Sequence, residues 1–191
     1  DPSLHWLVED RLIPRPPDGS DLAHLEVELA LCMALREYRG KSNIAGFALA
    51  LSGGRDSAMC AVLVARMFRY NHPDLNQDEL QAVIHECFST AYLATDHSGS
   101  ATRTAAQSLA KELGAHHHEA DIQAAVEAYH QIGGNLIGQT LSWSEPSHDV
   151  ALQNVQARIR GGLIWMLANM KGFLLLATSN KSEAAVGYTT M

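Results

Sequence analysis

A short apolar run, Phe47-Ala-Leu-Ala-Leu51, empties into Ser52-Gly-Gly-Arg-Asp-Ser57 and then into an alanine-rich segment, and few folds accommodate that order. Its alternating apolar residues read as a buried strand. Ala58, Ala61, Val62 and Ala65 recur at the spacing of one helix face. Gly53 and Gly54 carry no side chain, so backbone N–H groups at this strand-to-helix turn can approach an anion closely. The helix N-terminus adds its positive partial charge, and Ser52 and Ser57 offer hydroxyl donors. Asp56 then demands a cation, because a carboxylate beside a polyphosphate repels it unless a hard ion such as Mg²⁺ bridges the two. The turn reads as a nucleotide-pyrophosphate site with a metal ligand built in. The plainer alternative is a strand-to-helix turn whose glycines serve geometry and whose serines serve as caps.

The chain has 191 residues, enough for one packed domain, and a formal net charge of −7. That balance argues against nucleic acid or an anionic membrane as the main partner, since either needs a basic footprint. Cys32, Cys60 and Cys87 lie far apart in apolar segments. They read as buried, reduced thiols of a cytoplasmic protein rather than a disulfide frame. No apolar run approaches the roughly 18 residues of a membrane span, and the acidic first residues lack a signal-peptide layout. A start at Asp1 and an end at Met191 directly after Gly187-Tyr-Thr-Thr lead us to expect cut ends.

Strand and helix signals alternate along the chain. Residues 1–19 hold four of the six prolines and read as an arm or linker, and residues 20–191 read as one domain. A helix from Ser20 to Arg39-Gly40 has Leu22, Leu25, Leu29, Cys32 and Met33 as its apolar set. Strands are expected at about 45–51, 81–88, 115–121 and 172–177. Helices are expected from the glycine turn to about Tyr70, before Gly114, over 122–129, over about 150–170, and from near Asn180. A polar, Gly-rich crossing spans 133–149, and Asp74, Asp78 and Glu79 read as a solvated turn. Such alternation implies an α/β fold, a doubly wound parallel sheet with helices on both faces. Ligands of such sheets sit at the carboxyl ends of the strands. The loop at Ser52, the stretch Phe88-Ser-Thr90 and the segment from Thr178 to Glu183 are therefore expected to meet in one cleft.

Thr178-Ser-Asn-Lys-Ser-Glu-Ala-Ala-Val-Gly-Tyr188 places a hydroxyl, a lysine and a carboxylate at such a strand end. Glu183 is the natural second ligand for Mg²⁺, and Thr178 can hydrogen-bond a nucleotide. Asn180 followed three residues later by Glu183 is equally a capping box, in which the glutamate only holds the helix start. On the preceding helix Asn154 and Arg158 share a face, while Val155, Ile159 and Leu163 form the stripe beside it and Arg160 points elsewhere. Asn154 and Arg158 facing a phosphate cleft would clamp an anion; a helical arginine is otherwise solvated or structurally paired. His116, His117 and His118 alternate across a strand, so no more than two converge, and a surface or strand-end role is expected. Trp143 and Trp165 read as packing or loop anchors.

With these residues in view, Ser52-Gly-Gly-Arg-Asp-Ser57 resembles the signature of the ATP-pyrophosphatase superfamily, with its adenine-nucleotide alpha-hydrolase-like fold. The Walker A spacing and its lysine are absent. The glycine turn, Asn154-Val-Gln-Ala-Arg-Ile-Arg160 and Asn180-Lys-Ser-Glu183 through Gly187-Tyr188 together resemble the synthetase domain of NAD synthetase over about residues 21–191. The resemblance implies a ligase that adenylates the nicotinate carboxylate of deamido-NAD with ATP, releases pyrophosphate, and lets ammonia displace AMP to leave NAD. It assigns Ala50, Leu51, Ser52, Gly53, Gly54, Arg55, Asp56, Ser57 and Thr178 to ATP. Asn154, Arg158 and Glu183 go to deamido-NAD, Asp56 and Glu183 to Mg²⁺, and Ser52, Asp56 and Glu183 to catalysis. The Pro-rich arm favours the glutamine-dependent branch, in which an amidase domain supplies ammonia, and the family implies a homodimer with the 150–170 helix as a candidate interface. Arg55 stands where the family commonly has an uncharged residue, and is left either to contact phosphate or to face solvent. Gln153 stands where many members are acidic. The family also continues past Gly-Tyr-x-Thr into a Gly-Asp-rich loop that this sequence does not reach, so the domain reads as C-terminally incomplete. Rival readings are a GMP synthetase-like or tRNA-modifying adenylating enzyme, or a non-catalytic interaction domain retaining the fold.

Overall fold

The computed structural model describes residues 22–187; the arm expected over 1–19, the helix start at Ser20 and the Tyr188–Met191 end lie outside them. In chain order the elements are α1 (Leu22–Lys41), β1 (Gly46–Ala50), α2 (Arg55–Asn71), α3 (Gln77–Cys87), β2 (Phe88–Ala94), α4 (Ser100–Leu113), β3 (His116–Asp121), α5 (Gln123–Ile137), a 3₁₀ turn (Pro146–His148), α6 (Asp149–Lys171), β4 (Phe173–Leu176) and α7 (Lys181–Ala185). The four strands pair in parallel in the order β3-β2-β1-β4. The expected parallel sheet with helices on both faces is therefore the fold. Among the described residues no helix is long and apolar enough to cross a membrane.

Strand alternation divides the core in two. Phe47 and Leu49 of β1 point to one side, where Val64, Met67 and Phe68 of α2, Leu80 and Ile84 of α3, and Ala106 and Ala110 of α4 bury them. Phe47 and Phe68 meet edge to face with ring centroids 6.4 Å apart. Ala48 points the other way, against Ile164 and Ala168 of α6, and small side chains on the strand let that long helix lie close. Ile122 and Val126 pack α5 onto Ile159 of the same helix.

The second strand is where the sequence reading fails. Residues 77–87 are helical, and the strand is the next seven residues, Phe88–Ala94. Leu80 and Ile84 are the buried positions, four apart as a helix requires, and Asn76 and Glu79 form a complete capping box at its start. The helix then runs into the strand without a loop, so the apolar run is shared between them. Ser89 and Thr90 read as loop residues, yet both are fully buried inside β2. Thr90 Oγ1 is satisfied by His117 Nδ1 at 2.8 Å on the neighbouring strand. Asp78 and Glu79 are solvated as expected but sit in the first turn of a helix, while Asp74 lies in the turn before it.

Smaller corrections follow the same logic of context. On α1 only Leu29 and Cys32 are buried, while Leu22 and Met33 face outward. α5 runs through Gly133 and Gly134 to Ile137, shortening the expected crossing. Of the cysteines, all free, only Cys32 is fully buried, and burial pushes its thiol up to about 11. Trp165 is exposed on α6 rather than packed. His116 stacks between His118 and His85, with centroids 4.3 and 4.5 Å away, while His117 points to the opposite face.

Candidate nucleotide site

β1 ends at the glycine turn because Leu51 N–H still donates to Ala91 O at 2.9 Å, after which Gly53 turns the chain with φ +79°. That φ suits glycine, and the space around it excludes anything else. A Cβ on Gly53 would lie 2.2 Å from the carbonyl oxygen of Thr102, in the first turn of α4. The turn is braced from inside by its two serines. Ser57 Oγ donates to Gly54 O at 3.0 Å, Ser52 Oγ lies 3.0 Å from Ser57 Oγ, and Gly54 N–H donates to Ser52 Oγ at 3.2 Å. Ser57 is buried at 2 % exposure, so its hydroxyl holds the loop shut instead of reaching outward as expected. Gly54 is the N-cap of α2 and supplies no side-chain cap, which leaves the helix's first amides to an incoming acceptor.

The segment after β4 stands next to this turn because β4 pairs directly with β1. Asn180 caps α7, accepting from Glu183 N–H at 2.9 Å, while Glu183 Oε2 accepts from Asn180 N–H at 3.2 Å. The capping reading of this motif is therefore correct. It does not exhaust the motif, because Asn180 Nδ2 also donates to Asp56 Oδ2 at 3.1 Å across 124 positions of sequence. The cap thus brings Glu183 and Asp56 to one place. Asp56 is exposed, Glu183 half-buried, and both offer the hard carboxylate oxygens that Mg²⁺ takes alongside phosphate oxygens. Among the described residues no group of three or more His, Cys, Asp or Glu side chains is placed to hold a metal ion by itself.

The remaining assigned residues differ in exposure. Thr178 is half-buried just past β4, and Arg55 is exposed at the first turn of α2. Ala50 and Leu51 close β1; Leu51 is fully buried, so only its backbone borders the turn. On α6 Asn154 is half-buried and Arg158 exposed. Phe88-Ser-Thr90 does not join the cleft, since it opens β2 instead of closing it; the carboxyl end of that strand is Ala94, followed by Thr95 to Gly99. Arg160, expected to point elsewhere, turns inward: its Nε donates to Leu93 O at 3.1 Å and its Nη2 to Thr95 Oγ1 at 3.4 Å. No spacing rule marked it, whereas Asn180 was recoverable from its capping box.

Residues 27–191 match the family model described as NAD synthase. The chain is 33% identical over 166 residues to the glutamine-dependent NAD(+) synthetase of Aquifex aeolicus, covering 87% of this chain and 26% of that protein. Among solved structures it superposes on a glutamine-dependent NAD(+) synthetase from Cytophaga hutchinsonii with a TM-score of 0.76 and 35% identity, over 86% of this chain and 33% of that one. It also superposes on the NH3-dependent NAD synthetase of Campylobacter jejuni with a TM-score of 0.66 and 27% identity, over 86% of this chain and 60% of that one. The chain spans about a quarter of the length of the curated relatives it matches. With the glycine turn, the capped α7 and the strand order in place, the chain belongs to the NAD synthase family.

Proposed function

We propose that this chain is the synthetase part of an enzyme that converts deamido-NAD to NAD, consuming ATP and ammonia. The nicotinate carboxylate attacks the α phosphorus of ATP, the α–β phosphate bond breaks, and pyrophosphate leaves. Ammonia then attacks the adenylated carbonyl, AMP departs and an amide remains. A free carboxylate has no competent leaving group, so activation precedes amidation. The protein's task is chiefly positioning and neutralising charge.

The residues divide that task. The amides of the first turn of α2, left without a side-chain cap by Gly54, hold the departing pyrophosphate, with Ser57 keeping the glycine turn in shape and Ser52 exposed beside it. Thr178 and the backbone at Ala50 and Leu51 border the nucleotide, and Arg55 is close enough in sequence to add charge there. Asp56 and Glu183 are the residues that would hold Mg²⁺, which when bound supplies countercharge for the leaving pyrophosphate. Asn154 and Arg158 receive deamido-NAD.

One observation carries the reading: the hydrogen bond from Asn180 to Asp56, which joins two motifs 124 positions apart at adjacent strand ends. The glutamine-dependent branch is favoured, since the curated relatives cited are of that kind, and an amidase domain would then deliver ammonia. A homodimer through α6 is favoured by Trp165, Met166 and Met170, exposed together along one stretch of that helix. Free thiols and the absence of a long apolar helix among the described residues fit a cytoplasmic enzyme. The test is calorimetric titration with Mg·ATP, in which Asp56→Ala weakens binding by roughly 100-fold. Unchanged affinity in that variant sinks the proposal.

A further inference from the structure

Arg160 sits on α6 two residues beyond Arg158, and its planar fork holds the exit of β2 by two hydrogen bonds, to Leu93 O and Thr95 Oγ1. No carboxylate among the described residues pairs with it. Burial pushes its guanidinium below the ordinary arginine range, the mark of a cation kept from water without a countercharge. From Thr95 the contacts run onward without a gap. Thr95 N–H donates to Ser98 Oγ at 2.9 Å, and Ser98 N–H returns to Thr95 O at 2.8 Å, closing a tight turn. Gly99 O then accepts from Thr102 Oγ1 at 2.8 Å and from Arg103 N–H at 3.2 Å, and Tyr92 Oη meets Thr102 Oγ1 at 2.9 Å. Thr102 in turn fills the space beside Gly53 so closely that no Cβ could enter.

We propose that Arg160 is a positioning residue that sets the glycine turn through the Thr95–Thr102 segment, and so couples the helix bearing Asn154 and Arg158 to the phosphate-binding amides. The inference rests on the ATP reading given above. Lysine keeps the charge but cannot make both bonds, because it is a point donor on a flexible stem instead of a rigid fork. Valine at position 95 removes the accepting hydroxyl while keeping the shape.

The experiment measures Mg·ATP affinity of the intact enzyme by calorimetry, together with hydrogen exchange of the Ser98 and Arg103 amides. Arg160→Lys and Thr95→Val each weaken Mg·ATP binding about tenfold and speed exchange at both amides, and the double variant is no worse than either single one. Ile84→Val, in the core of α3, is the control: it lowers Tm and leaves affinity unchanged. If the wild type binds Mg·ATP, Asp56→Ala does not, and Arg160→Lys binds as the wild type does, the positioning role is overturned while the ATP reading stands. If Asp56→Ala binds as tightly as the wild type, or the wild type does not bind, both fall together.

Discussion

Among its described residues the molecule builds the same local device at α3 and again at α7, and the α7 copy bonds beyond its own helix. Asn76 and Glu79 cap α3, with hydrogen bonds of 3.0 Å in each direction. Asn180 and Glu183 cap α7 with bonds of 2.9 and 3.2 Å, the same chemistry at nearly the same lengths. The α3 cap is exposed and bonds only within itself, whereas Asn180 has a spare amide hydrogen that finds Asp56. What differs is the place in the sheet. α7 starts just past the carboxyl end of β4, next to the end of β1, while the α3 cap lies between α2 and the helix that leads into β2. A motif that bonds only within itself in one position joins the proposed site in the other because a parallel sheet gathers its carboxyl ends along one edge.

Charge-neutral substitution separates the two boxes most sharply. Glutamine at the third helical position still accepts from the cap's N–H, so Glu183→Gln and Glu79→Gln both keep their helices. In the intact enzyme Glu183→Gln is expected to lower kcat/KM by roughly 100-fold, and Glu79→Gln to leave it unchanged. Equal loss in both would erase the distinction. Next in size is Gly53→Ala, which forces a Cβ against Thr102 at a positive φ and should cost about 2–3 kcal/mol in urea unfolding, along with Mg·ATP binding. Asn76→Ala should cost about 1 kcal/mol of stability and nothing in nucleotide affinity. An affinity loss there would show that the α3 cap also reaches the site.

The smallest expected effect concerns pH and the far edge of the sheet. Burial first, and for His116 and His118 the neighbouring cations also, hold His116, His117, His118 and His130 below the ordinary imidazole value of 6.5. The fold therefore prefers neutral imidazole. Its contribution is complete above pH 6.5 and is lost as pH falls through 6.5 toward the folded values. Tm should decline modestly from pH 7 to pH 5. His118→Phe should flatten part of that slope by taking one ring out of the stack with His116 and His85. A slope untouched by the substitution would put the pH dependence elsewhere.

Legibility followed the reach of the forces involved. The glycine turn, the strand before it and the helix after it were readable because turn chemistry and apolar period act within a dozen residues. The strand at 88–94 was not, because it buries two polar residues at its start, and the partner that satisfies Thr90, His117 on the neighbouring strand, is 27 positions away. Ser57 was misjudged for a similar reason, since a hydroxyl that could face a ligand is consumed by Gly54 O and Ser52 in the folded turn. Arg160 carried no mark of its inward turn, because the carbonyl of Leu93 that it reaches is 67 residues away.

By itself the sequence determined which atoms were available: backbone amides at two glycines, carboxylates at 56 and 183, and a cap at 180. Local periodicity and turn propensity settle such matters before any long-range contact forms. Only the tertiary structure decided which of those atoms meet, through the pairing of β4 with β1. Sheet order is chosen by burial summed over the whole core, and no segment of the chain encodes that sum alone.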